Sequence, residues 1–581
     1  MKLILQHLKP HKLLVFFTIT FVAVSSLLNL VLPDLNATII NEGVMAGNLP
    51  VIYKYGLIMI GMALLEGACT LIGSYCSSKL GANLGRDLRR TIFAKVQTFS
   101  QADVDEFGAA TLITRNTNDV NSLQMTTQMA LRQILTVPIS LIGGVIMALR
   151  QDLTLSLILL FVVPLIALTV FFITRTTHPM FKKIQKQVDK LNQVLREQLS
   201  GVRVIRAFVR TKYEEDRYKQ ANREMYEIST RAHRIMTIMF PMMFLIMDGA
   251  SLVAYYFGAI RIDSGYMPVG NLTAFISYMM QILMTVHMCS MMFNMIPRAM
   301  TSAERISLIV NKEPLITDKA VEYDANGKPL QIGAFQSLEF RDVSFAYPDT
   351  SKPVINHVSF TALPGETTAI IGSTGSGKSS LVNLIPRFYD VTEGQILLNG
   401  HDIRHYMQDD LRRVIGMVPQ KSFLFEGTVA SNLRYGKNDA TEDEMWHALE
   451  VAQGKDFVSE RPGQLESDIS QGGTNVSGGQ RQRLSIARAV VRHPDIYIFD
   501  DSFSALDFKT DAALRMALQK ETTEAVVFIV AQRVTTVMGA DRIIVLDEGE
   551  VVGIGKHKEL MQTCPVYKEI ILSQLSEEEV A

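Results

Sequence analysis

The sequence predicts an all-α, six-helix transmembrane domain followed by an α/β domain. Hydrophobic residues fill 48% and charged residues 20% of the 581 positions, and the mean hydropathy is +0.17. That is too apolar for a water-soluble chain of this length. The apolar material is concentrated before about residue 300, in stretches near the ~20 residues that a bilayer crossing needs. Beyond it, β-rich runs such as SLEFRDVSF and TTAIIG alternate with helical patterns, the rhythm of an α/β domain.

Six stretches are long enough to span, at 13–32, 51–75, 129–149, 153–173, 236–260 and 272–296; the third is weakest, with Arg132 and Gln133 near its start. Lys2, Lys9 and Lys12 precede the first, and Lys79, Arg86, Arg89, Arg90 and Lys95 follow the second. Arg175, Lys182, Lys183 and Lys186 follow the fourth, whereas residues 33–50 hold no Lys or Arg. The other outward loops carry one basic residue each, Arg150 or Arg261. The positive-inside rule places both termini and the two long loops in the cytoplasm, so the second domain is cytoplasmic as well. The first stretch lacks a small-residue cleavage site and is expected to remain as a helix. The long loops are poor in Gly and Pro with regular apolar spacing, so they read as helical extensions of the spans.

Polar composition from residue 311 marks a linker to 334, which divides a membrane domain at 1–310 from an α/β domain at 335–575 and a tail at 576–581. The net charge of −1 gives no reason to expect nucleic acid as a partner. Cys69, Cys76, Cys289 and Cys564 form no Cys-x-x-Cys pair, which argues against a disulfide framework or a zinc site.

The chemistry begins at Gly372-Ser373-Thr374-Gly375-Ser376-Gly377-Lys378-Ser379-Ser380, which fits G-x-x-x-x-G-K-[ST]. It follows an apolar strand and opens a helical pattern, so its backbone N–H groups can cradle phosphate oxygens. Lys378 supplies a point charge for the β- and γ-phosphates, and Ser379 a hydroxyl for Mg²⁺. Asp500, at the end of the run IYIFD, can hold the Mg²⁺ shell or simply cap a strand-end turn.

The stretch NVSGGQRQRLSIARA decides between these readings. Ser477-Gly478-Gly479-Gln480 resembles the signature of ABC transporter ATPases, and the other motifs fall in that family's order. By this resemblance Tyr347 stacks on adenine, Gln420 senses Mg²⁺ and couples to the membrane part, and Asp507 ends the D-loop. Six spans with long cytoplasmic helices and one ATPase domain resemble half of a type IV exporter. The segments QADVDEFG at 101–108 and RTKYEEDRY at 210–218 fall where that family carries short coupling helices; the second also reads as a plain solvated charged face.

Two positions depart from the pattern. Asp501 stands where competent sites carry a glutamate that activates water, and Gln532 stands where the family usually has a histidine. An aspartate is one methylene shorter, and a displacement of roughly 1 Å can lower a rate about a hundredfold. Glutamine cannot change protonation near neutral pH, although it can donate a hydrogen bond. The resemblance therefore implies a heterodimer, with a working homodimer that tolerates Asp501 and Gln532 as the plainer alternative. This chain's P-loop site would bind ATP and Mg²⁺ but turn over slowly, and its intact signature would complete the site of a second half transporter with the consensus Glu and His. The expected cargo is a small, amphipathic or hydrophobic compound exported across the cell membrane. Import, as in siderophore-type relatives, and a mainly regulatory role for this chain's ATP remain open.

Within the spans, Glu66, Asp248 and His287 are ionisable, so each faces either cargo or a buried helix–helix hydrogen bond. The sixth span, SYMMQILMTVHMCSMMFNM, is dense in methionine. Flexible thioethers suit a surface that repacks around varied ligands, or ordinary packing.

Overall fold

The computed structural model describes residues 2–323, 327–348, 350 and 352–575, without the side chains of 2, 3, 178 and 290–294. The tail expected at 576–581 lies outside the described residues, as do the side chains of Met291 and Met292 in the methionine run. The chain forms two compact units. One comprises Met1–Gln97 and Ala110–Lys312; the other comprises Thr98–Ala109 and the chain from Glu313 onward.

The long helices are α1 (Lys12–Thr38), α2 (Leu49–Val96), α4 (Val120–Gln151), α5 (Leu157–Ser200), α6 (Thr211–Asp263) and α7 (Val269–Val310), with the short α3 (Gln101–Phe107) between α2 and α4. The six long segments are apolar enough to cross a membrane. Their outer faces leave Phe16, Leu57, Leu64, Leu71, Phe161 and Leu252 exposed, an arrangement stable only where lipid replaces water. The extensions of the spans are helical, as their spacing predicts: α2 continues to Val96 and α5 to Ser200.

Two details differ from the expectation. Pro33 does not end the first span but sits inside α1; membrane helices tolerate such a break because neighbours satisfy the freed carbonyl. The charged run at 210–218 is not a separate short helix. From Thr211 it forms the first turns of α6, where Arg217 pairs with Glu197 at 2.6 Å and Glu214 at 3.5 Å. The short helix of that loop is Val202–Ala207, immediately before it.

Close helix packing in this unit relies on small residues. A Cβ on Gly144 of α4 would come within 2.9 Å of Ile282 on α7, and the buried Tyr278 hydroxyl donates to the Leu30 carbonyl at 2.8 Å. Arg261, in the loop expected to face outward, is paired with the buried Asp152 at 2.7 Å, so its charge adds little to the loop asymmetry.

The second unit is built on two sheets. An antiparallel sheet has the order β2-β1-β4-β5, from β1 (Leu338–Phe345), β2 (Ile355–Ala362), β4 (Glu393–Leu398) and β5 (His401–Asp402). A six-stranded sheet has the order β12-β11-β3-β10-β9-β6. Its strands are β3 (Thr367–Gly372), β6 (Ile415–Val418), β9 (Ile496–Asp500), β10 (Val526–Val530), β11 (Arg542–Asp547) and β12 (Glu550–Gly555). The pair β7 (Gly427–Thr428) and β8 (Asp468–Ile469) stands apart.

In the larger sheet β11, β3, β10, β9 and β6 run parallel. Parallel strands are covered on both faces, which is why IYIF and VVFIV are unbroken apolar runs, buried throughout. Each such Ile or Phe contributes roughly 2 kcal/mol by leaving water.

Residues 98–109 join this unit through α3. Ser100 and Asp103 cap it reciprocally, and Asp103 also accepts from the Leu315 N–H at 3.1 Å. Part of the polar stretch read as a linker is thereby tied down: Glu322 N–H reaches the His405 carbonyl, and Asp318 accepts from Gln408.

Candidate nucleotide site

Parallel strands bring their C-terminal ends to one edge of a sheet, and ligands of such sheets bind there. β3 ends at Gly372 and opens the P-loop, β6 leads to Gln420, β9 ends at Asp500 followed by Asp501, and β10 leads to Gln532. Four segments far apart in sequence meet because their strands are neighbours.

The P-loop turns through Gly375 and Gly377, whose φ values of 87° and 96° disfavour any side chain. At Gly377 a Cβ would also strike Ile355 and the Val354 carbonyl at 2.7 Å. Ser373, Thr374 and Ser376 complete the loop, and α8 (Lys378–Leu384) follows. Lys378 is largely buried and folded back, donating to the carbonyls of Gly372 at 2.9 Å and Ser373 at 2.7 Å. Burial lowers its pKa, opposed by the charges of Asp501 and Asp500. An incoming phosphate gives its ammonium a stronger partner than those carbonyls.

Ser379 donates to Asp500 at 2.9 Å. Burial raises the Asp500 pKa, the Ser379 bond opposes this, and Asp501 adds like-charge repulsion. A hydroxyl and one buried carboxylate side by side fit Mg²⁺, which keeps most of its positions for water and phosphate oxygens. Ser379 and Asp500 would hold the ion, with the Gln420 amide oxygen within the same cluster of strand ends. The ion would neutralise phosphate charge.

Asp501 has φ 47°, a left-handed conformation that aspartate tolerates better than most residues, and its N–H is held by the Val530 carbonyl at 2.9 Å. Its Oδ2 accepts from Gln532 Nε2 at 3.1 Å and from Gln420 Nε2 at 3.4 Å. Burial raises its pKa, while the Gln420 bond and Lys378 oppose the rise.

Tyr347 follows β1, and its hydroxyl meets Ser380 Oγ at 2.9 Å. Its ring stands edge-on to Tyr389 at 5.2 Å, and the Tyr389 hydroxyl donates to Asp105 of the first-loop segment at 3.1 Å. A chain of contacts thus runs from α3 to the P-loop.

The signature opens α9 (Gly478–Val490). Ser477 accepts from the Gln480 N–H and Gln480 Oε1 accepts from the Ser477 N–H, a reciprocal cap. Ser477 and Gly478 are exposed, so this positive helix end is free to meet an anion on another surface. Asp507 caps α10 (Phe508–Glu521) through the Thr510 N–H at 3.0 Å.

Two supporting residues escaped the sequence reading. Gln482 bonds the Asp501 carbonyl at 3.3 Å and the Ala505 N–H at 3.2 Å, fixing the turn after the acid pair. Gln574 donates to the Gln532 carbonyl at 2.8 Å and accepts from the Val534 N–H at 3.0 Å, so it grips both sides of Arg533. Gln482 lies two residues after the signature; nothing in the local sequence marks Gln574.

The three ionisable span residues are not brought together. Glu66 lines a cleft of about 290 Å³ among α1, α2, α4 and α7. Asp248 is exposed on α6. His287 meets Phe240 edge-on at 5.8 Å, and its buried Nδ1 has no hydrogen-bond partner among the described residues.

A membrane-spanning unit fused to a P-loop domain with a signature helix defines an ATP-hydrolysing membrane transporter. The family models agree: the ABC transporter transmembrane region matches residues 15–286 and the ABC transporter domain residues 355–504. The chain belongs to the ABC transporter family. It is 44% identical, over 98% of each chain, to an uncharacterized ABC transporter ATP-binding protein of Mycobacterium tuberculosis. It is 32% identical, over 90% of this chain and 86% of the other, to the ATP-dependent lipid A-core flippase of Syntrophus aciditrophicus. A bacterial Atm1-family ABC exporter with ATP bound has the same fold, with a TM-score of 0.78 over 97% of this chain and 99% of the other at 23% identity.

Proposed function

We propose that this chain is one half of a heterodimeric exporter of small amphipathic compounds in the cell membrane, with its ATPase domain and both termini cytoplasmic. Its own P-loop site binds Mg·ATP and hydrolyses it slowly. Its signature helix completes the active site of a partner that carries the consensus Glu and His. Binding of two nucleotides clamps the ATPase domains and turns the membrane cavity outward, and hydrolysis at the partner's site resets it.

The observation that carries this reading is the state of the Asp501 carboxylate. Activating water requires a carboxylate oxygen that reaches over the γ-phosphate. Asp501 is a methylene short, and its Oδ2 is already engaged by two amides, Gln532 and Gln420. Gln532 therefore stabilises the resting acid and has no proton of its own to exchange.

The test is ATPase activity of the purified chain alone, and then together with candidate second half transporters. Little turnover alone and robust turnover with one partner is expected. Brisk hydrolysis by the isolated chain overturns the proposal.

A further inference from the structure

The membrane cleft at Glu66 carries two opposite charges that do not neutralise each other. Glu66 on α2 accepts from Asn29 Nδ2 at 3.0 Å, and Asn29 in turn accepts from Gln281. A three-helix hydrogen-bonded chain thus fixes one carboxylate oxygen and leaves the other uncommitted. Arg132 on α4 lines the same cleft. It is exposed and forms no hydrogen bond or ion pair among the described residues.

Ionised groups at this depth are expensive and either pair or serve a wet pathway. Glu66 and Arg132 share a cleft and remain more than an ion-pair distance apart. Met284 and Met288 of α7 add an adaptable apolar wall, and Thr136 a hydroxyl. The volume is at the small end for ligand sites. It suits a head group whose hydrocarbon chain lies outside the cleft.

A second cleft lies between α4 and α7, nearer the α4 N-terminus. It measures about 690 Å³, and Arg298 and Arg305 are among its lining residues. Arg305 is 3.9 Å from Asp119, while Arg298 has no partner among the described residues. Free guanidinium groups therefore line two clefts on the same pair of helices, and Glu66 lines only the first.

We infer that this cleft is a head-group site for a zwitterionic amphipath, whose anionic group is held by Arg132 and whose ammonium is held by Glu66. The inference rests on the exporter reading and names its substrate class. Arg298 receives the anionic end first, and the ammonium finds its counter-charge only when the head reaches Glu66.

The test uses the full chain in nanodiscs and four single-chain probes of equal acyl length: lysophosphatidylethanolamine, lysophosphatidic acid, an alkylamine and a monoacylglycerol. The zwitterion is expected to bind tightest. Arg132→Gln should weaken both phosphate-bearing probes roughly tenfold or more, the scale of one lost charge-assisted bond. Glu66→Gln should weaken the zwitterion and the amine but not lysophosphatidic acid, and Arg132→Lys should retain most of the preference. Binding of a fluorescent ATP analogue, unchanged in all variants, shows that each is folded. Equal affinity for zwitterion and monoacylglycerol, or a zwitterion preference that survives Arg132→Gln and Glu66→Gln, overturns the inference. Export of the monoacylglycerol by the assembled transporter without any zwitterion preference leaves the exporter reading standing; absence of all export removes that reading instead.

Discussion

Gln532 donates a hydrogen bond to Asp501 across 3.1 Å, joining the two positions at which this chain departs from its family's pattern. The departures are thus one structural feature. The amide of Gln532 engages the carboxylate that the shorter side chain of Asp501 presents.

Restoring both residues should therefore do more than restoring either. Asp501→Glu together with Gln532→His is expected to raise hydrolysis at this site by about ten- to a hundredfold, the scale associated with a misplacement of roughly 1 Å. Asp501→Glu alone should gain less, because Gln532 still engages the carboxylate. Single-turnover assays of the chain with a catalytically silenced partner isolate this site. If the double variant leaves both hydrolysis and transport unchanged, slow chemistry here has no consequence and a regulatory role gains.

Mg·ATP binding should weaken as pH falls. Asp500 and Asp501 both have pKa values raised by burial. Their protonated forms favour the folded, nucleotide-free state; that contribution is full below the ordinary value of 3.8 and is lost as pH rises through the raised values. The metal needs the ionised form of Asp500, so lowering pH toward those values opposes it. Thermal stabilisation by Mg and a non-hydrolysable ATP analogue should shrink as pH is lowered from 8 toward 5. Ser379→Ala removes both a ligand for the ion and a bond that favours the carboxylate, so it should weaken the stabilisation at every pH and move the remaining loss to higher pH.

Gln574 should position the Gln532 segment. Gln574→Ala removes two hydrogen bonds at an exposed site and is expected to lower stability by about 1 kcal/mol. In the Asp501→Glu, Gln532→His background it should reduce kcat and leave ATP affinity unchanged. A fall in affinity with unchanged kcat would instead mark a purely structural effect.

Tyr389→Phe keeps the ring contact with Tyr347 but removes the bond to Asp105. ATP binding should be unchanged, whereas substrate stimulation of ATPase by the assembled transporter should fall severalfold. Equal stimulation in wild type and variant would show that the hydroxyl contributes nothing to coupling.

Much of this protein is written locally. Runs of apolar residues long enough for a bilayer, loop charge asymmetry and the change of period after residue 310 mark the two-part architecture, because each depends only on neighbours in the chain. The P-loop, the signature and the strand-end acids are equally legible, since glycine, lysine and serine at that spacing meet the needs of a phosphate turn. Other features depend on distant partners. That Asp501, Gln532 and Gln420 converge follows from the order β10-β9-β6, and strand order is set by packing of the whole sheet. The grip of Gln574 on Gln532 and the placing of residues 98–109 with the second unit also require the fold. So does the meeting of Glu66 and Arg132 in one cleft: on separate helices their charges look unrelated, and only helix packing sets them together while keeping them from neutralising one another.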